Sequence, residues 1–333
     1  MALTNGGITT VLVIQSDKWQ HSFQRYFGLH PDTSFRFGVI PGFCRESVGR
    51  RDWVYTSTKV YNTQQLYCWS DFHHKRLCNE GHFITSYYGT APFLWDLDHQ
   101  QEEDGGTLFF LPNDDLSTIR DADYKIVQDA IDSAPEPITF LLPWRSEQVW
   151  RHWEDLSIPG HAEIISLSDR VNRQLILTKL FQQKEYIYLA YPGTDLYYAS
   201  FLDKKIMIYD SIKNYRSKTD EELAAHGLKR EQILSHLIWG YDYLNDIQKE
   251  YFHWTENWND IDLQDRQFLT QKILGLDALK SPADLFRDMK ENKLLYNEKF
   301  VENEKYNITY EWLKSKVKKI TPTSEGLEKY AKM

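Results

Sequence analysis

Five short apolar runs decide the fold: Thr107-Leu108-Phe109-Phe110-Leu111, Ile138-Thr139-Phe140-Leu141-Leu142, Ala162-Glu163-Ile164-Ile165-Ser166-Leu167, Tyr186-Ile187-Tyr188-Leu189-Ala190 and Lys205-Ile206-Met207-Ile208-Tyr209. Each is of strand length and rich in β-branched or aromatic residues. Between them lie stretches that read as helices: Asp121 to Ser133, Glu147 to Leu156, Val171 to Gln182 and Thr194 to Leu202. Strands that alternate with helices through short loops predict a doubly wound, parallel α/β unit.

Outward from this unit the pattern is looser. Toward the N-terminus, Thr10 to Ile14, Phe35 to Ile40, Asp52 to Ser57 and His82 to Tyr88 read as strands, with a helix from about Val60 to Leu77. Continuous apolar runs of this kind suit a second parallel sheet covered on both faces. Asp96 to Gly106 is charged, ends in two glycines and carries no period, so a linker is expected there. From Asp220 to Met333 the pattern is mostly helical, and part of it should pack back across the two preceding units. No internal repeat is visible.

Composition narrows the class. The chain has 333 residues, 39 basic against 48 acidic, for a net charge of −9. Aromatic residues reach 15%, enough to bury an extensive core and to exclude disorder. The negative charge argues against a general nucleic-acid binder. No run of apolar residues is long enough to span a bilayer. Met1 to Gln15 lacks the basic start and cleavage site of a signal peptide. Cys44, Cys68 and Cys78 are odd in number with no CxxC spacing. A cytoplasmic protein is expected.

The chemistry should lie where strands of the doubly wound unit end. Tyr191-Pro192-Gly193-Thr194-Asp195-Leu196-Tyr197 follows a strand and opens a helix, with Thr194 as the expected N-cap. A helix start at the carboxyl end of a parallel strand is suited to an anion. Its ordinary reading is a capped βα junction, and Asp195 would repel a phosphate unless it points away. Pro143-Trp144-Arg145-Ser146-Glu147 also follows a strand. Arg145 suits bidentate binding of phosphate or carboxylate, Trp144 stacking on a base or sugar, and Glu147 acceptance from a hydroxyl. The alternative is a surface ion pair and a core tryptophan. Tyr88-Gly89-Thr90 ends a strand of the first half and would face the second half across a cleft. Glu103 and Asp104 offer a carboxylate as base or nucleophile, with Asp114-Asp115 as the competing source; acidic runs in linkers are more often solvated.

Several motifs are missing. His73-His74 has no third ligand at metal spacing. There is no GxGxxG, no GxxxxGK[ST] and no GxSxG, which argues against a dinucleotide dehydrogenase, a P-loop NTPase and an α/β-hydrolase.

These features, chiefly from Leu108 to Asp210, resemble the GT-B glycosyltransferases, and among them bacterial surface-polysaccharide enzymes that use CMP-activated Kdo or sialic-type sugars. The likeness covers about a third of the chain. In many such enzymes an acidic-acidic-Gly motif supplies a catalytic carboxylate, which Glu103-Asp104-Gly105 matches. A small-hydroxyl motif at a later helix start binds phosphate, which Gly193-Thr194 matches. The position of their His-Pro motif holds Pro143-Trp144-Arg145 here, without the His; His30-Pro31 lies in the other half. The turn Tyr88-Gly89-Thr90 and the stretch Gly193 to Asp210 also look like the CDP-glycerol glycerophosphotransferases of teichoic acid synthesis.

The resemblance implies two Rossmann-like domains facing a cleft, residues 1–100 and 107–215, with a helical region over 216–333. It implies a nucleotide-sugar donor, a glycan or lipid-linked glycan acceptor, and no metal or cofactor. Asp104 would act at the anomeric carbon, with Glu103 and Glu147 as further catalytic carboxylates. Trp144, Arg145, Gly193, Thr194, Asp195 and Tyr197 would hold the nucleotide and its phosphate, and Tyr88, Gly89 and Thr90 the acceptor. A non-catalytic glycan-binding protein is the rival expectation. Near the C-terminus, Lys314, Lys316, Lys318 and Lys319 lie among Leu313, Val317 and Ile320 at helical spacing. Such a helix either lies on an anionic membrane or packs its apolar stripe on the core with its lysines in water.

Overall fold

A parallel five-stranded sheet with helices on both faces forms the main interior of the chain. The computed structural model describes residues 34–35, 38–39, 65–68, 85–88, 92–98, 101–111, 120–142, 156–166, 173–190, 193–209, 221, 257–291, 295–296 and 304–332.

The elements in chain order begin with four short strands: β1 (Ser34–Phe35), β2 (Gly38–Val39), β3 (Gln65–Cys68) and β4 (Thr85–Tyr88). A 3-10 turn follows at Pro92–Asp96. The main unit is β5 (Thr107–Phe110), α1 (Arg120–Ser133), β6 (Ile138–Leu142), β7 (Glu163–Ser166), α2 (Arg173–Gln183), β8 (Tyr186–Leu189), α3 (Thr194–Phe201) and β9 (Lys205–Ile208). Then come α4 (Leu263–Ile273), α5 (Pro282–Glu291), β10 (Leu295–Tyr296), α6 (Glu304–Lys316) and α7 (Glu325–Lys332).

The main sheet runs β7-β6-β5-β8-β9 with every neighbouring pair parallel. The chain winds outward from β5 in one direction, returns, and winds outward in the other. The order therefore reverses between β5 and β8, and adjacent connections leave in opposite directions there. Alternation along the strands is clean. Leu108, Leu141, Ile187 and Leu189 join one core cluster, whereas Phe109, Phe140 and Tyr188 join the other. Successive side chains of a strand point to opposite faces, and both faces are covered at the central strands β5, β6 and β8, whereas the edge strands expose Ile164 and Met207.

α1 covers the second cluster with Val127, Ala130, Ile131 and the following Ala134, a helical stripe. α2 covers the first cluster with Leu177, Leu180 and Phe181. The same cluster takes in Phe93, Leu94 and Leu97, all 0% exposed, and Phe93 stacks on Tyr198 at 3.9 Å.

Several expectations change. The helix anticipated from Val60 to Leu77 contains β3 instead, paired in parallel with β2 on one side and β4 on the other. Ladder bonds on both edges of Gln65–Cys68 outweigh local propensity in so short a run. The Phe35–Ile40 run is divided: Gly38–Val39 joins that three-stranded sheet, while Ser34–Phe35 pairs antiparallel with β10 near the other end of the chain. The expected strands at Thr10–Ile14 and Asp52–Ser57 lie outside the described residues, as does the helix expected from Glu147 up to residue 155.

Within the segment from Asp96 to Gly106, Glu102, Glu103 and Asp104 are exposed, and the segment is also tied to α2. Asp98 donates its N–H to Gln182 Oε1 at 3.0 Å and accepts from Gln182 Nε2 at 2.6 Å, as a strand partner would. The charged residues that looked solvated meet two lysines, described below.

The described part of the C-terminal region packs on the main unit. α4 lies against α3, with Thr270 Oγ1 2.8 Å from Ser200 Oγ and Trp258 edge-on to Tyr197. In α6, Leu313 is 0% exposed, and Trp312, Val317 and Ile320 pack on the same core. The Lys318 N–H donates to Gln271 Oε1, which ties this segment to α4. The apolar stripe is thus spent on the core, and Lys314, Lys316, Lys318 and Lys319 are exposed. Among the described residues no helix is long and apolar enough to cross a membrane.

Candidate functional site

All strands of a parallel sheet start at one edge and end at the other. The carboxyl edge is the one that holds ligands in open α/β sheets, at the point where strand order reverses. Here that point lies between β5 and β8, and α3 starts just beyond β8.

Gly193 is the N-cap of α3, with φ −143° and ψ −159°, and offers no side-chain cap. Thr194, the expected cap, is instead the first helical residue. The extended backbone at Gly193 closes the first turn through Leu196 N–H to Gly193 C=O, at 3.2 Å, with no hydroxyl required. The dipole of a helix favours an anion near its N-terminus. Only after this turn does the helix sink into the core: Leu196, Tyr197, Tyr198 and Ala199 are each 3% exposed or less. Burial pushes the Tyr198 hydroxyl well above its ordinary pKa, and the charge of Asp195, one turn earlier, pushes it further. Tyr197 is 1% exposed and meets Trp258 at 5.7 Å, so its ring is a core element.

The acidic-acidic-Gly motif sits at the other edge. Asp104 pairs with Lys184 (Oδ1 to Nζ 3.1 Å), and Glu103 pairs with Lys204. Lys184 precedes β8 and Lys204 precedes β9, so both pairs mark the edge where strands begin. The Asp104 N–H donates to Gln183 C=O at 2.8 Å. Gly105 and Gly106 follow with φ of +79° and +71°. Gly106 C=O then accepts from the N–H groups of Glu185 and Tyr186. A Cβ on Gly106 would lie 2.2 Å from Pro137 O. The motif therefore fastens the start of β5 between its two neighbours. The structure does not bring Glu103 and Asp104 together with Gly193 and Thr194. The length of β8 alone, about 10 Å, separates the two edges.

Tyr88 is the last residue of β4, in register with Cys68 of β3. Gly89, Thr90, Asp114, Asp115, Trp144, Arg145, Glu147, Tyr191 and Pro192 lie outside the described residues, as do His30-Pro31 and His73-His74.

One side chain escaped the sequence reading. Arg266 belongs to the stripe Arg266, Leu269, Thr270 and Ile273 of α4; the last three are 3% exposed or less. Its Nε is buried and has no hydrogen-bond acceptor among the described residues. The signal was there in sequence: a cation at the first position of an i, i+3, i+4, i+7 stripe whose other members face inward.

No protein-family model matches the chain. No curated protein matches it either. Among solved structures it is similar to "Spinosyn Rhamnosyltransferase SpnG complexed with thymidine diphosphate", at a TM-score of 0.30 and 11% identity, over 82% of this chain and 80% of that one. A likeness at that score fixes neither the fold nor the activity.

Proposed function

We propose that this chain is a glycosyltransferase of GT-B-like architecture that takes a nucleotide-activated sugar. The observation that carries the reading is the placement of the Gly193–Thr194 helix start at the carboxyl end of β8, beside the strand-order reversal. In this reading the donor phosphates meet the first amides of α3, and backbone dipoles stabilise the charge that develops on the leaving nucleotide.

Arg145 is the second phosphate ligand and Trp144 the stacking residue. Both follow Leu142, the last residue of β6, closely in sequence. Tyr88, Gly89 and Thr90 form the acceptor side, across a cleft between residues 1–100 and 107–215, with 216–333 packed over both. A CMP-linked Kdo or sialic-type sugar, moved to a surface glycan or its lipid-linked form, remains the proposed donor class. CDP-glycerol and UDP- or GDP-sugars are the alternatives. No metal is needed in this scheme, because amides and cationic side chains hold the phosphates.

The reactive carboxylate must reach the carboxyl edge. Glu103 and Asp104 are held by lysines at the opposite edge, so the role passes to Glu147, Asp114 or Asp115, which follow β6 and β5. It would take the proton of the acceptor hydroxyl as that oxygen attacks the anomeric carbon.

A second reading is a glycan-binding protein without turnover. The same finding favours it, since the motif that resembles a catalytic carboxylate serves as a clamp. A thermal-shift screen with CMP, CDP, UDP, GDP and TDP separates the two. A nucleotide at about 100 times its Kd stabilises the protein by about 2.7 kcal/mol. A shift with one nucleotide supports the transferase; no shift with any of them favours the binding protein.

A further inference from the structure

We infer that the end of α6 and the segment after it, Lys314 to Thr321, dock the protein on an anionic lipid bilayer. No nucleotide takes part, so this surface is independent of the transferase reading.

From Trp312 to Ser324 the chain carries four lysines, Lys314, Lys316, Lys318 and Lys319, and no carboxylate, in a protein whose net charge is −9. All four are exposed. Glu311 meets Lys314 at 3.7 Å, but both side chains are mostly exposed, so the pair offsets little of this charge. An anionic bilayer repels the acidic remainder of the protein and attracts this patch, which sets the orientation of approach.

The backbone beneath the lysines is ordered before any partner arrives. Leu313 is 0% exposed, and Trp312, Val317 and Ile320 pack on the same core. Gln271 of α4 holds both backbone groups of Lys318: its Oε1 accepts from the Lys318 N–H at 2.8 Å, and its Nε2 donates to the Lys318 C=O at 3.2 Å. Gln264 Nε2 donates to the Thr321 C=O. Docking on a surface fixed in this way loses less ordering entropy.

Two features select a bilayer over a soluble polyanion. Gln264 brings its neighbour Leu263 to the Thr321 end of the segment, and Leu263 is 58% exposed, more than Ile164, Met207 or Ile308. A bilayer offers phosphates to ammonium groups and acyl chains to a leucine, whereas an acidic glycan offers only anions. The cations are also all of one kind, since no arginine follows Arg287. Compact ammonium charges suit a diffuse anionic surface, and a single defined phosphate or carboxylate is better met by the planar arginine fork.

The test is co-sedimentation of the full chain with vesicles of phosphatidylcholine alone and of phosphatidylcholine with an equal part of phosphatidylglycerol. Wild type is expected to bind the anionic vesicles at low salt, to ignore the neutral ones, and to detach steeply as salt screens the lysines. Each lysine removed should weaken binding about fivefold, so Lys318→Gln with Lys319→Gln should weaken it about 30-fold. This pair lies outside α6, and its Tm should match wild type. Arg at all four lysine positions should preserve binding, because the bilayer reads charge. Leu263→Ser should weaken binding about 10-fold with the lysines intact. Wild type that ignores anionic vesicles at low salt overturns the inference. So does vesicle binding unaltered by the lysine pair or by Leu263→Ser. Wild type that binds polygalacturonate but no vesicle overturns it in favour of an acidic glycan.

Discussion

Lys184 Nζ lies 3.1 Å from Asp104 Oδ1, and the lysine side chain is only 8% exposed while the aspartate is half exposed. This pair joins the start of β5 to the start of β8, 80 residues apart. It places the acidic motif at the edge where the strands begin, where it fastens β5 to β8.

Asp104→Ala should therefore lower stability and spare ligand binding. It leaves Lys184 nearly buried without its carboxylate, a loss of about 1–2 kcal/mol once the exposure of Asp104 is allowed for. Denaturant unfolding gives the stability and calorimetry the affinity. Normal stability with lost turnover would restore Asp104 to the chemistry.

Gly106→Ala should be the more damaging change. The backbone there is left-handed, which costs a residue with a Cβ about 1–2 kcal/mol. The new methyl would also meet Pro137 O, a backbone atom that cannot swing aside. A Gly106→Ala protein with unchanged Tm would refute this account of the Gly105-Gly106 turn. Gly105→Ala, with open space around it, should cost only the backbone term.

The start of α5 gives a pH test. Ser281 caps it: Asp284 N–H donates to Ser281 Oγ at 3.1 Å, and the hydroxyl lies 2.7 Å from Asp284 Oδ2. That hydroxyl holds the Asp284 carboxyl below its ordinary pKa, against a smaller opposing effect of burial and with help from Arg287 and Lys280. The folded value is lower than the unfolded one. The stabilisation is therefore complete above the unfolded pKa, about 3.9, and is lost as pH falls through the lower folded value. Ser281→Ala should cost about 1 kcal/mol at neutral pH and flatten the loss of stability below about pH 4. Parallel Tm-versus-pH curves for the two proteins would contradict this.

Leu313→Ala should destabilise by about 2–5 kcal/mol, the cost of a cavity where a fully buried leucine stood. Changing Lys314, Lys316, Lys318 and Lys319 to Gln should move stability far less. If Leu313→Ala left Tm unchanged and instead reduced vesicle binding, the stripe would face lipid after all.

The main sheet was legible because its central strands are covered on both faces. Phe109 and Leu108 serve opposite clusters, so the run is apolar without interruption and cannot be mistaken for a surface strand. β3 was not legible, since Gln65 to Cys68 carries no alternation and takes its form from β2 and β4. The acidic stretch misled for a different reason. Glu103 and Asp104 look solvated until Lys184 and Lys204 arrive, and those partners are 80 and 101 residues away. At the proposed site, Gly193 and Thr194 were legible as a strand end followed by a helix start. The cap itself was not, because the extended backbone at Gly193 needs no hydroxyl. Arg266 was legible only in principle, as a cation in an apolar stripe whose inward face depends on α3.

Hydrogen exchange with and without the nucleotide that gives the largest thermal shift tests the central claim most directly. The phosphate site predicts that the ligand slows exchange in peptides covering 190–198 and leaves those covering 101–107 unchanged. Protection at 101–107 with none at 190–198 would contradict the placement of the site at the carboxyl edge.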